Sequence, residues 1–206
     1  MIEIIKKLTS ILAAKLTTPI FIKLARETNR IHLNVDEIFY IASVIKGKAP
    51  CRLLVFGFGN DSYFWTKLNK GGKTIFLEDD PVWFDQVKKQ NPQCYGYLVD
   101  YGTQRSEWQE LIGEPDKLRM DLPEEVEMEK FDCILIDGPH GWVDTDPGRM
   151  KSIFEASRLI ETKGDIFVHD SDREVEKAYC DRYLGHGILK KGLPRLRHYI
   201  LDERKE

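Results

Sequence analysis

The chain is short of cysteine, of net charge and of long apolar runs, and each shortage excludes something. Its 206 residues include four cysteines, Cys51, Cys94, Cys133 and Cys180, and no two form a CxxC pair. That spacing argues against a structural zinc site or a disulfide framework. Cys51 and Cys133 sit at or inside apolar, strand-like runs, where cysteine acts as a small hydrophobe. A reducing, cytoplasmic setting is therefore expected. The formal net charge is −3, and Lys and Arg are scattered, which gives no electrostatic footprint for nucleic acid or an acidic membrane surface. No segment is long and apolar enough to cross a membrane. Met1 to Leu8 is no basic leader before a clean apolar stretch, and Lys15 interrupts the apolar residues after it, so no signal peptide is expected.

The chain does carry a change of pattern near residue 48. Residues 1–48 read as an N-terminal helical extension packed on the core, and residues 49–206 as the main domain. Ile4, Ile5, Leu8, Ile11 and Leu12 recur at helical spacing. Pro19 breaks or restarts that helix, and a second stretch covers about Ile20 to Glu27. A third runs from Val35 to Ile45 with Ile38, Ala42 and Ile45 on one side and Asn34 as its N-cap. After Pro50 come short apolar runs: Arg52 to Phe56, Thr74 to Leu77, Tyr95 to Val99, Cys133 to Ile136 and Asp165 to Val168. Each reads as a strand buried on both faces. Helical stretches at Tyr63 to Asn69, Pro81 to Gln90 and Arg149 to Ile160 alternate with them, which predicts a doubly wound α/β domain. Gly187 to Gly192 and Arg197 to Leu201 predict a closing hairpin at the sheet edge. The acidic stretch from Glu107 to Lys130 is the candidate for a long surface excursion.

In open parallel sheets ligands bind at the carboxyl ends of the strands, and here every such end carries a polar group or a glycine turn. The first is Gly57-Phe58-Gly59-Asn60-Asp61-Ser62, a GxGxxS turn whose glycines let a backbone approach a ligand, or simply meet a steric need. Glu78 closes the next strand about 20 residues on, where an acid can accept ribose hydroxyls. Glu78, Asp79 and Asp80 also suit the cap of the helix beginning at Pro81. A pyrophosphate cofactor favours a third glycine and no acid in the first turn. Asp61 repels pyrophosphate and can bind an amino group. This favours S-adenosylmethionine over a nicotinamide dinucleotide, with Gly57, Gly59, Asp61, Glu78, Asp79 and Asp100 as the candidate cofactor-binding residues. Asp100 either meets the adenine amino group or is a turn residue with Gly102.

Asp137, His169 and Asp170, at the ends of the fourth and fifth strands, are the candidate catalytic residues, suited to general-base work on a hydroxyl or amine. A divalent metal on these three is a second option, although their spacing is no local metal motif. His169 can equally be a buried imidazole that orders the site, and His140 an exposed loop residue. Trp142 and Tyr101 either line a pocket or pack. Arg195 and Arg197 share one face of a strand and either clamp a substrate carboxylate or form a solvated face.

The segments CRLLVFGFGNDSYFW, GGKTIFLEDDPVWFDQV, LPEEVEMEKFDCILIDGP, DPGRMKSIFEASR, DIFVHDSDREVEKAYC and RLRHYIL resemble, in order, the plant glucuronoxylan 4-O-methyltransferase family. The resemblance implies a Rossmann-like class I methyltransferase fold: a mostly parallel seven-stranded sheet with the last strand antiparallel. It implies S-adenosylmethionine as donor, with Gly57, Gly59, Asp61 and Glu78 on the cofactor, and an oxygen of a sugar acid as acceptor. The DGP, PGRM, HDSDR and RLRH segments would shape the acceptor side. There are departures: the plant enzymes resemble membrane-anchored proteins of the secretory pathway and no anchor is expected here, Asn60 stands where the plant pattern often has His, and Asp137-Gly138-Pro139 replaces an Asp-Ala-Pro turn; a soluble, compact version suggests a microbial relative whose acceptor can differ. The expectation is methylation of a saccharide or other small molecule, with no nucleic-acid or membrane partner and the oligomeric state open. The alternatives are small-molecule N-methylation, a nucleotide-dependent oxidoreductase, or a non-catalytic cofactor-binding module in polysaccharide synthesis.

Overall fold

A computed structural model describes residues 32–185, 188–189 and 193–200. The helices expected before Pro19 and around Ile20 to Glu27 lie outside the described residues. The third expected helix is present as α1 (Val35–Lys48). The Asn34 side chain accepts from the Glu37 backbone N–H at 2.9 Å, and Glu37 Oε2 accepts from the Asn34 N–H at 2.9 Å. This reciprocal capping box satisfies two of the donors a helix start leaves open. Ile38, Ile41, Ala42 and Ile45 form the buried stripe.

The sheet contains β1 (Arg52–Phe56), β2 (Lys73–Glu78), β3 (Tyr95–Leu98), β4 (Phe131–Ile136), β5 (Ile160–His169), β6 (Ile188–Leu189) and β7 (Leu196–Ile200). Their order is β3-β2-β1-β4-β5-β7-β6. β1 to β5 are mutually parallel, and β7 is antiparallel to both β5 and β6. This is the expected seven-stranded architecture with an antiparallel last strand. The chain winds outward through β2 and β3, then returns past β1 to β4, so the topological switch lies between β1 and β4.

Two cores flank the sheet, because successive side chains of a strand point to opposite faces and both sets are apolar. Leu53 and Val55 join Cys133, Leu135 and the α1 stripe on one face, together with α2 (Ser62–Leu68) and α3 (Pro81–Gln90). Leu54 and Phe56 join Ile134 and Ile136 on the other. That second face also holds three one-turn helices, α4 (Trp108–Leu111), α5 (Pro115–Leu118) and α6 (Glu124–Glu127), with α7 (Met150–Leu159) and α8 (Glu174–Tyr183).

Two expectations need correction. The stretch from Glu107 to Lys130 is not simply a surface excursion: Leu118, Met120, Leu122 and Val126 are buried in the second core, and Glu155 Oε1 accepts the Met120 N–H at 2.7 Å. Each helix there is too short to show a period. β3 is not buried on both faces; it is the edge strand, with Tyr95 and Leu98 about half exposed. The closing hairpin expected at the sheet edge is present: β7 pairs antiparallel with both β5 and β6, and β6 is the outermost strand.

Candidate functional site

The loop after β1 is braced from three sides. Gly57 has φ +114°, which side-chain-bearing residues rarely adopt, and its N–H donates to the Leu77 carbonyl at 2.8 Å. The Phe58 N–H donates to Glu78 Oε2 at 2.9 Å, and the Trp83 indole donates to the Phe58 carbonyl at 2.8 Å. Ser62 Oγ accepts the Gly59 N–H at 3.0 Å. The Asp137-Gly138-Pro139 turn after β4 presses against this loop. A Cβ on Gly138 would stand 3.0 Å from Gly57 Cα, so the contact is backbone to backbone and requires glycine.

Above these turns, at the carboxyl ends of the strands where an open α/β sheet takes its ligand, opens a solvent-facing cleft. Gly57, Gly59, Asp61, Glu78, Asp79, Asp137 and Gly138 line it, with His32, Trp83, Pro139 and His140 at other points of its wall. The structure thus brings together five of the six residues expected on a cofactor. Asp100 is the exception. It does not line the cleft, and its Oδ1 accepts the Gly102 N–H at 2.8 Å, which is the turn role. Tyr101 is core, not pocket wall.

The three acids after β2 have divided their work. Asp80 Oδ1 accepts from Val82 and Trp83 N–H at 2.8 and 3.0 Å and caps α3. Glu78 takes no cap bond from α3. Its Oε1 accepts the N–H groups of Asp79 and Asp80 at 3.1 Å each, while Oε2 holds the glycine loop. Burial raises the Glu78 carboxyl above its ordinary value against these bonds, and burial raises Asp79 as well. Asp61 stands at the N-cap of α2 without capping it. It accepts from the Trp65 indole at 2.7 Å. Burial, then the nearby Asp137 charge, pushes its carboxyl up to about 6. A carboxyl so placed gains from a cation in the cleft.

Behind the cleft lies a buried charge network, drawn from α1, the ends of β4 and β5, and the starts of α7, α8 and β7. His169, at the end of β5, has Nδ1 2.7 Å from Asp137 Oδ1 and Nε2 3.4 Å from Glu37 Oε2 of α1. Burial opposes its charged form. The Asp137 hydrogen bond, Glu37 and the charges of Asp137 and Asp170 outweigh that and raise it to about 9. His169 is therefore an imidazolium. Asp170, in left-handed backbone at φ 57°, is buried among three guanidiniums: Arg173 at 2.8 Å, Arg149 at 3.1 Å, and Arg195. Against the cost of burial these cations and His169 hold its carboxyl below the usual range. Arg149 also donates to the carbonyls of Asp137 at 2.9 Å, Pro139 at 3.3 Å and His169, and so ties the β4 turn to the β5 turn.

Of the three expected catalytic side chains, only Asp137 reaches the cleft. His169 orders it, and Asp170 serves as an anchor for arginines. The metal option meets the same facts: one nominal ligand is protonated and another is ion-paired to arginine. Among the described residues no group of three or more His, Cys, Asp or Glu side chains is disposed to hold a metal ion. Arg195 and Arg197 form no common clamp, since Arg195 turns to Asp170 and Arg197 pairs with Asp181 at 2.8 Å. Sequence reasoning missed Glu37, whose only sequence signal is the Asn34-x-x-Glu37 capping box, and left Arg149 without a specific role inside PGRM.

Comparison with known proteins gives a consistent set. A family profile described as IRX15/IRX15L/GXM matches residues 36–120 and 114–199. The chain is 35% identical over 193 residues to glucuronoxylan 4-O-methyltransferase 1 of Arabidopsis thaliana, covering 84% of this chain and 68% of that protein. It is 34% identical to arabinogalactan O-methyltransferase 2 of the same plant, covering 80% and 65%. It is 31% identical to the protein IRREGULAR XYLEM 15, again from that plant, covering 87% and 64%. The chain thus spans about two thirds of the length of these relatives. Among solved structures, a putative caffeoyl-CoA O-methyltransferase from Staphylococcus aureus superposes with TM-score 0.55 at 11% identity, covering 95% of this chain and 97% of that one. The T. thermophilus 16S rRNA N2 G1207 methyltransferase, solved with AdoMet and guanosine, superposes with TM-score 0.51 at 15% identity, covering 79% and 41%. At such identities the two structures speak for the fold.

Proposed function

The chain belongs to the IRX15/IRX15L/GXM family, and from that membership we propose that it is an S-adenosylmethionine-dependent methyltransferase that O-methylates a saccharide of the uronic-acid type. The observation that carries this is the meeting, in one cleft, of a glycine cradle, a cation-seeking Asp61 and Asp137. Relatives named for O-methylation of glucuronoxylan and arabinogalactan support the acceptor class.

The residues present fit the donor. Gly57 and Gly138 line the cleft, their backbones held in a contact that a Cβ on either one would enter. Asp61 offers a carboxylate to the donor's ammonium, and a phosphate would be unwelcome beside it. Glu78 and Asp79 stand on the side suited to ribose hydroxyls. When bound, the donor supplies an electrophilic methyl on a cationic sulfur.

Asp137 is the general base in this scheme. Its Oδ1 is committed to His169, so Oδ2 takes the proton of the acceptor hydroxyl. His169 already carries its proton and cannot accept another; it fixes the orientation of Asp137. Glu37 in turn holds the far side of the imidazolium. Positioning of this kind, with a base at the reacting oxygen, is the protein's contribution to rate. The reading retains a cytoplasmic setting, which four free, buried cysteines support. It also retains the division at residue 48, with α1 docked on the first core.

The test uses D137N and D137A. Both should bind S-adenosylhomocysteine as tightly as the wild type in calorimetric titration. Transfer of labelled methyl to glucuronoxylan oligosaccharides should fall about a hundredfold or more. Full transfer by D137N would remove Asp137 as the base. Failure of the wild type to bind S-adenosylhomocysteine would remove the donor.

A further inference from the structure

Large aromatic side chains in a folded domain are normally covered. Trp142 is not; it is 65% exposed, and Val143 beside it is 55% exposed. Nor does this indole sit on a loose loop. Asp146 Oδ2 accepts the N–H groups of Trp142 and Val143 at 2.6 and 3.1 Å. The loop is closed by the Gly148 N–H on the His140 carbonyl at 2.9 Å. It is docked sideways through Arg105, whose N–H donates to the Asp146 carbonyl at 2.7 Å and whose guanidinium pairs with Asp144 at 2.6 Å. The indole is held from behind by the Arg173 guanidinium, 4.0 Å from the ring centroid. Arg173 is itself anchored on Asp170. A cation–π contact of this kind fixes the ring plane and leaves most of the indole in solvent.

Position gives this exposed ring a purpose. His140, two residues earlier, lines the cleft, and Asp137 is five residues earlier, a chain span of at most about 17 Å. We propose that Trp142, backed by Arg173, is a stacking platform for a pyranose ring of the methyl acceptor at the rim of the cleft. The proposal rests on the saccharide acceptor of the proposed function and adds the residue that grips it. The apolar face of a pyranose presents C–H groups to the electron-rich face of an indole, while its hydroxyls stay at the edge, in water or on polar neighbours. A rigid aromatic provides that contact at small conformational cost, because its rotamer is already fixed by Arg173 and by the loop.

The test is equilibrium binding to protein saturated with S-adenosylhomocysteine. Glucuronoxylan oligosaccharides and, in parallel, arabinogalactan oligosaccharides are titrated by calorimetry into wild type, W142A and W142F. At least one saccharide should bind the wild type, W142A should weaken it tenfold or more, and W142F should restore most of the loss. The affinity for S-adenosylhomocysteine should be the same in all three, which separates loss of the platform from loss of the fold. Equal saccharide affinity in wild type and W142A overturns the platform and leaves the activity standing. A wild type that binds neither saccharide, or that binds a free planar aromatic acid through Trp142 instead, also overturns it. Failure of S-adenosylhomocysteine itself to bind is the separate failure of the activity reading.

Discussion

Raising the pH from 6.5 to beyond 9 should remove about 3 kcal/mol of stability through His169 alone. The unfolded chain binds that imidazole's proton with the ordinary value of 6.5, whereas the folded protein holds it to about 9. Each unit of difference is worth about 1.4 kcal/mol, so the shift amounts to about 3 kcal/mol. The side chain is buried, so solvent does not screen its partners. These are Asp137 at the end of β4, Glu37 on α1 and Asp170 next in the chain. Because the folded value is raised, the contribution is fully present below pH 6.5. It declines as the unfolded state sheds its proton first, and it is lost as pH passes through about 9. Cys51, whose thiol is drawn below its ordinary value by Cys133, adds a pH dependence of its own. The quantity to read is therefore the wild-type stability minus that of H169Q, from urea unfolding at pH 6.5, 7.5, 8.5 and 9.5. The difference should fall by about 1.4 kcal/mol per pH unit between the two values. Parallel curves would refute the reasoning. Should H169Q not fold, the imidazole titration of the wild type, followed by nuclear magnetic resonance, decides instead: a value below 7 contradicts the network.

Asp61 should make cofactor binding depend on pH: with its carboxyl at about 6, affinity for S-adenosylhomocysteine should strengthen from pH 5 to pH 7 as Asp61 ionises. D61N should bind about tenfold more weakly, the scale of a lost charged hydrogen bond, and show a flat profile; an unchanged slope in D61N would clear Asp61 of the ammonium role. Gly138→Ala drives a methyl to within 3.0 Å of Gly57 Cα, and the forced shift should cost about 1–3 kcal/mol of stability and most of the cofactor affinity. Wild-type calorimetry in that variant would contradict the backbone contact. Asp170→Asn strips a buried counter-ion from Arg149, Arg173 and Arg195 and should destabilise the fold by about 3–5 kcal/mol in urea; a loss under 1 kcal/mol would show that the arginines re-pair.

Much of the site was legible because its signals are local. The glycine turn, the Asp80 cap before Pro81 and the Asn34 cap of α1 each depend on residues within a few positions, and a strand ending in a polar group marks itself. The errors fell where local pattern gives no information. Tyr95 to Leu98 reads like its buried neighbours, yet its place at the edge of the strand order exposes it. Arg195 and Arg197 alternate as a strand should, but Arg195 lies in the turn just before β7, so one meets Asp170 and the other Asp181.

The sequence by itself determined the α/β alternation, the carboxyl-end placement of the polar residues and the glycine loop with its acids, because strand period, turn chemistry and helix caps are short-range physics. Only the tertiary structure decided which acid does what. Glu37 lies far from His169 in the chain, and the two meet because α1 packs on the sheet beside the β5 end. Arg149 reaches both turns only because α7 starts beneath them. Those long-range electrostatic contacts raise His169 towards its charged form, make Asp170 an anchor and hold Asp137 by one oxygen at the cleft, and no spacing along the chain encodes them.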